Sequence, residues 1–336
     1  MHPNTFLLEI GCEELPAQSL KKLAENFEAC ICHALQQASV PFDDIRLLYT
    51  PRRLAIICSN VAAKQQEQTQ IIKGPSLSIA LDTNQQPTAA GLGFAQKCGI
   101  DATELTTLID DKTSRLLFKK TRPGQKTFDL LPQLVQNAIN KWHIPNTMRW
   151  QDGVAPFPRP VRWITALYDA DIVPLTLFGC QSDRITFGLR TFSTHPLHLQ
   201  HASDYLTQLH TACVMADANE RRQHIVKGLH EQTPNTLQCQ HTAAQIDSVC
   251  HLTEWPEVVR GNIDARYLNL PIEVLESVIR IHQKSFIITK DNQPQPYFIT
   301  IANGYSQHPE HRLQGYENVI EARLSDAYFF FKQDLE

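Results

Sequence analysis

Apolar residues recur along the chain at two periods, and the switches between them predict its elements. "TFLLEI" at 5–10 is an apolar run of strand length, and the stretch "AQSLKKLAENFEACICHALQQA" behind it sets Leu20, Leu23, Phe27, Ile31, Leu35 and Ala38 at helical spacing. "IRLLYT" and "RLAIICSNV" flank Pro51-Arg52-Arg53 and read as two strands meeting at a turn. A strand, helix, strand, strand order predicts a mixed sheet covered by helices. Residues 63–70, "AKQQEQTQ", are polar throughout and predict an exposed connection.

Farther on, "PTAAGLGFAQKCGI" predicts a short helix closed by Gly99, and "SRLLFKK" a strand ending at Pro123-Gly124. A helix running to about Trp142 has Leu131, Leu134, Val135, Ala138 and Ile139 on its buried side. Residues 200–250, rich in His, Gln and Asn, read as helices with polar connections. From Leu270 the pattern sharpens into the helix "PIEVLESVIRIHQ", the strands "SFIIT" and "YFITIAN", and a closing helix, "VIEARLSDAYFFFKQDLE". That last helix sets Ile320, Leu324, Ala327 and Phe331 on one face, with Val319 and Phe330 close beside it. The fold class expected is α/β to α+β: mixed β-sheets covered by helices, in lobes spanning about 1–165, 166–268 and 269–336, ending in an amphipathic helix.

Composition narrows the class. With 336 residues, 42% of them hydrophobic, the chain has material for a sizeable core and more than one lobe. Nine cysteines, an odd number without a CxxC pair, read as reduced thiols of a cytoplasmic protein. The apolar start of "MHPNTFLLEIGCEELP" is broken by Glu9, Glu13 and Glu14 and lacks a basic leader, which argues against a secretory signal, and no segment has the length and apolarity to span a bilayer. A net charge of −4 leaves any nucleic-acid binding to local clusters.

Two such clusters exist. "KTSRLLFKKTRPGQK" at 112–126 holds Lys112, Arg115, Lys119, Lys120, Arg122 and Lys126 with no acidic residue, either a phosphate-attracting surface or a strand edge guarded by lysine. "KWHIPNTMRWQDGVAPFPRPVRW" at 141–163 sets four basic residues against Asp152 alone and holds three of the four tryptophans. Arginine beside aromatic rings stacks on bases or packs over a core corner. Trp163, inside the apolar "VRWITALY", is expected to pack, while Arg149 and Arg159 remain candidates for RNA contact.

Other chemistry is thinner. His195, His198 and His201 recur every three residues, with His210 and Cys213 beyond, a spacing that would suit zinc on a helical turn but for Pro196 and the lack of a carboxylate at ligand spacing. Glu13 and Glu14 beside Cys12 would raise its thiol pKa, and Cys250 and His251, as helix neighbours, would not face each other. Neither a G-x-x-x-x-G-K-[ST] loop nor G-x-G-x-x-G occurs. The residues alone point to no catalytic group, metal or cofactor on this chain.

Taken in order, "LLEIGCEELPA", "YTPRRLAI", "KGPS" with "AAGLGFAQKCGI", "MRW" with "FPRPVRWITAL", "TEWPEVVRGN", "YLNLPIEVLESVIRIHQKSF", "FITIANG" and "NVIEARLSDAYFFFKQD" resemble the N-terminal portion of the beta chain of bacterial tetrameric glycyl-tRNA synthetase. The resemblance covers nearly the whole chain. It implies a beta chain that binds tRNA(Gly) and supports an alpha chain, with ATP and Mg bound by that alpha chain and this portion inactive alone. It also implies an N-terminal region similar to the editing-like module of the phenylalanyl enzyme, and HD-like and anticodon-binding domains that are not found here. Two stretches depart from the family pattern: Thr186-Phe187-Gly188-Leu189-Arg190-Thr191-Phe192 lacks a histidine, and His282-Gln283-Lys284-Ser285-Phe286 lacks a tyrosine. The alternative expectation is a free-standing RNA-binding or scaffold protein derived from such a chain.

Overall fold

A computed structural model describes residues 4–82, 84, 86–99, 101, 106–110 and 113–335. It opens with β1 (Asn4–Cys12), α1 (Ala17–Gln37), β2 (Asp44–Thr50) and β3 (Arg53–Val61), in the predicted order. A small unit follows: β4 (Gln68–Ser76), α2 (Leu77–Ala80), α3 (Ala89–Cys98), β5 (Thr106–Asp110) and β6 (Thr113–Arg122). Its two ends meet where Lys64 bridges Lys126 and the Gln65 amide donates to the Gln125 carbonyl at 3.0 Å. The polar connection is shorter than its composition predicts, because Gln68–Gln70 already belong to β4. Gly99 closes α3 in the left-handed conformation at φ 71°, which an L side chain adopts at a cost.

The chain then returns through α4 (Thr127–Lys141) to β7 (Val161–Tyr168), β8 (Asp171–Ile172), β9 (Thr176–Leu177) and β10 (Cys180–Asp183). These strands complete a seven-stranded sheet ordered β2-β3-β1-β7-β10-β9, with β8 on β7. Only β10 and β7 run parallel among its described pairs, so the sheet is mixed. Phe6, Leu8 and Ile10 of β1 pack with Leu20, Phe27 and Ile31 of α1 and Leu131 and Val135 of α4. Leu7, one residue out of phase, joins Leu167, Tyr205 and Leu209 on the opposite face. The β1 run is therefore apolar without alternation because both of its faces are covered.

A two-stranded ribbon of β11 (Ile185–Phe187) and β12 (Pro196–His198) leads to α5 (Tyr205–Thr211), α6 (Ala218–Gln232), β13 (Gln238–Cys239), α7 (Ala243–Cys250) and β14 (Pro256–Asn262). The last segment comprises α8 (Ile272–Leu275), a π-helical stretch at Glu276–His282, β15 (Phe286–Lys290), β16 (Gln293–Asn303) and α9 (Pro309–Asp334). A four-stranded sheet, β13-β15-β16-β14, separates two cores. Phe286 and Ile288 face Ile225, Leu229, Ile246 and Val249, whereas Ile287 and Phe298 face Ile279, Ile320 and Leu324.

Two expectations change. The closing helix starts ten residues earlier than its apolar run predicts, with Pro309 at its first turn, where a missing N–H costs nothing. Its buried stripe is Ile320 and Leu324 with Tyr328 and Phe331 beside it; Val319 and Phe330 face outward, Phe330 with 62% of its surface exposed. The histidines at 195, 198 and 201 fall on a strand and a loop, so helical spacing does not gather them, and His201 instead caps a 3-10 turn. On β6 the described pairing with β5 covers Thr113–Leu117, whereas Lys119 and Lys120 pair with β4 alone among the described pairs.

Candidate functional site

Strand periodicity concentrates charge on one face of the first sheet. Register sets Glu9 of β1 between Ala55 and Thr165, and Gly11 between Arg53 and Trp163. Opposed residues on neighbouring strands share a face, so Glu9, Arg53, Thr165 and Trp163 project to the side where Tyr205 lies. Gly11 carries no side chain because the Trp163 ring occupies the space a Cβ would need.

Arg53 is fully buried and its fork is filled. Its Nη1 donates to Glu9 Oε1 at 3.3 Å, its Nη2 to the Phe187 carbonyl at 2.8 Å, and its Nη2 and Nε both reach Glu254 Oε1, at 3.2 and 3.3 Å. Thr50 donates to Glu254 Oε1 at 2.7 Å and Thr165 to Glu9 Oε2 at 2.9 Å. Burial opposes the charge on Arg53, yet Glu254 and then Glu9 outweigh it, so its proton is held more firmly than usual. Arg52, bound to Glu254 Oε2 at 3.4 Å, moves the other way because burial and the neighbouring Arg53 outweigh Glu254. Burial raises the Tyr205 hydroxyl well above its ordinary range, and Glu9 adds to it. Two carboxylates and two guanidiniums balance, so the interior is a clamp joining β1, β3, β7, β11 and the start of β14.

Its outer rim is different. Arg190 Nη2 meets Glu13 Oε2 at 2.6 Å and Arg162 Nε meets Glu13 Oε1 at 3.4 Å, both arginines being more than half exposed. The Arg190 hydrogen bond, against the opposing effect of burial, holds the Glu13 carboxyl below its usual range. Arg159 Nε donates to the Glu14 carbonyl at 3.0 Å, and Arg52 lies 5.8 Å from the Trp163 ring centre. Arg52 Nε, Trp163 Nε1 and Thr186 Oγ1 are buried without a partner among the described residues. The rim thus offers Arg159, Arg162 and Arg190 beside Glu13 and Glu14, with Arg52 buried behind them, more guanidiniums than carboxylates and so a surface suited to anions.

The residues singled out from sequence are not all gathered here. Arg159 belongs to the rim, and Trp163 packs as expected, 4.9 Å from the Phe187 ring. Arg149 is exposed in the loop where Met148 pairs with Phe157 and Trp150 Nε1 donates to the Phe157 carbonyl. Arg115 is exposed on β6, and Lys126 is exposed at the base of the inserted unit. Lys112 and the side chains of Lys119, Lys120 and Arg122 lie outside the described residues. Arg52, Arg162 and Arg190 were missed, because three separated stretches supply them and only folding brings them to Glu13.

The cysteine readings hold with a changed cause. Burial, more than Glu13, pushes the Cys12 thiol up, away from nucleophilic range. Cys250 Sγ donates to the Ala218 carbonyl while His251 Nδ1 lies 3.2 Å from the Ala17 carbonyl, so the two side chains diverge. Among the described residues, metal-ligand types gather at exposed His308, Glu310 and His311, at the positive end of α9, where a cation is disfavoured.

The model of the glycyl-tRNA synthetase beta subunit family matches residues 6–336. The chain belongs to that family. It is 36% identical to the glycine–tRNA ligase beta subunit of Coxiella burnetii over 337 residues, covering 100% of this chain and 49% of that protein. The Chromohalobacter salexigens beta subunit is 36% identical over 336 residues, covering 99% of this chain and 49% of the relative. The Gloeothece citriformis protein is 35% identical over 352 residues, covering 99% and 48%. The chain spans about half the length of these curated relatives, matching the N-terminal part of the glycyl-tRNA synthetase beta subunit. Several stretches that carry the family resemblance, "GCEELPA", "TPRRLAI", "FPRPVRW" and "TEWPEV", converge on the Glu13, Arg53 and Glu254 corner.

Proposed function

We propose that this chain works as the N-terminal part of a glycine–tRNA ligase beta subunit, lending tRNA-binding surface to an alpha chain that attaches glycine to tRNA(Gly). The family match across residues 6–336 carries this reading. The arginine rim supports its RNA half: Arg159, Arg162 and Arg190 would meet phosphates, with Arg52 held behind them. Arg115, Lys126 and Arg149, and Lys112, Lys119, Lys120 and Arg122 on the inserted unit, are further candidates for backbone contact. ATP and Mg act on the alpha chain in this reading, and the cytoplasm is where the complex works. The buried ion network orients the rim and performs no bond chemistry.

Co-expression with the alpha chain tests this. The expected result is co-purification and measurable charging of tRNA(Gly), with glycine-dependent ATP–pyrophosphate exchange dependent on the alpha chain. No association with the alpha chain, while tRNA binding persists, would favour the free-standing RNA-binding alternative.

A further inference from the structure

A cavity of about 320 Å³ opens between α7 and the π-helical stretch, lined by Gln245, Ser248, Arg280, Ile281 and Lys284 among others, none of them acidic. Arg280 also lines a second cavity of about 260 Å³ that contains Glu276. Its Nη1 donates to Glu276 Oε1 at 3.0 Å and its Nη2 to Gln245 Oε1 at 2.8 Å, so two of the guanidinium's five N–H groups are committed and the plane is fixed between the cavities.

Two backbone features of this segment set it apart. The helix widens to π geometry over Glu276–His282, an arrangement that concentrates at functional sites because it re-aims side chains at a cost in regularity. It then ends with Lys284 in the left-handed region at φ 52°, the place after a helix that glycine fills without strain. A lysine kept there sets a second cation on the cavity wall at an energetic cost that glycine would not incur. Ile281, 59% exposed, adds an apolar shoulder.

We infer that this pocket docks a protein segment presenting a carboxylate beside an apolar side chain. The planar guanidinium matches a carboxylate through paired N–H donors and already meets one in Glu276, while Lys284 supplies a mobile second charge. Ile281 covers the neighbouring apolar group, as the apolar centre of an interface does. RNA fits less well, since no aromatic ring among the described residues lines the cavity to stack a base. This inference stands apart from the tRNA reading and uses none of its residues.

The 336-residue chain, with labelled isoleucine methyls and arginine Nε–H groups, is titrated with the capped peptide acetyl-Leu-Glu-Leu-amide, with its Gln counterpart, and with a single-stranded RNA oligonucleotide. The Glu peptide is expected to shift Ile281 and Arg280 saturably, with affinity about tenfold above the Gln peptide. Arg280→Lys keeps the charge, loses the fork and weakens binding about tenfold. Lys284→Gly relaxes the backbone, raising the Tm by about 2 °C, and weakens binding about fivefold. The inference is overturned by an absence of saturable shifts, by equal shifts from the Gln peptide, by tighter binding of the RNA at these groups, or by unchanged binding in Lys284→Gly.

Discussion

Arg53 and Glu254, 201 residues apart in the chain, meet at 3.2 Å in an interior where neither side chain has more than 1% of its surface exposed. Such a pair gains little over an apolar substitute, yet removing one partner strands the other without water. Glu254→Ala leaves Arg53 with Glu9 as its one carboxylate partner, and Arg52 without an ion pair, among the described residues. We expect it to lower unfolding stability by about 3–5 kcal/mol, read as a fall in the urea midpoint with the slope unchanged. A loss under 1 kcal/mol, measured the same way, would mean the clamp does not hold these strands together.

Trp163 against Gly11 gives a steric test. A methyl group on Gly11 overlaps the indole, so Gly11→Ala forces the ring or β1 to move. Overpacking of this kind costs about 1–3 kcal/mol. The Trp163 displacement should appear as a changed tryptophan emission in the folded state, and an unchanged spectrum with unchanged stability would contradict the packing described.

Asp217 supplies the pH dependence. It caps α6 by accepting from the Asn219 and Glu220 amides and pairs with Arg46 Nη2 at 2.7 Å. Burial raises its pKa, but the Arg46 bond and those two amides outweigh burial and leave it depressed. A folded pKa below the unfolded value of 3.8 means the stabilisation is fully present above about pH 4 and is lost as pH falls through the folded value. Asn caps as well as Asp, so Asp217→Asn isolates the charge. The variant should be less stable than the parent at pH 7, with the difference closing toward pH 2; a gap that stays constant with pH would rule out the charge as its cause.

How much of this was legible in the sequence depends on distance along the chain. β1, α1, β2, β3, α3 and α4 could be read because period and punctuation are local, as with Gly99 after Cys98. The clamp could not, since Thr50 and Arg53 each lie more than 200 residues from Glu254. Arg221 was equally hidden: it is fully buried and donates to the Met215 and Tyr49 carbonyls, yet it sits among the charged residues of α6 like any surface arginine. The basic run at 112–126 was visible as charge, but composition does not carry its strand pairing, in which Arg115 opposes Leu108 of β5 and Ser76 of β4. The π-helical stretch was read as an ordinary helix because "PIEVLESVIRIHQ" suits either winding.

The claim that this chain contributes an arginine surface to RNA is tested most directly by tRNA(Gly) binding across a salt series, with the parent chain and an Arg162→Ala, Arg190→Ala double variant. Both arginines are exposed, so the fold should tolerate the change. We predict that the parent binds at low salt with an affinity falling steeply as salt rises, and that the double variant binds more weakly with the log–log slope shallower by about 1–2. Absence of binding at the lowest salt, or a slope identical in the two proteins, would contradict it.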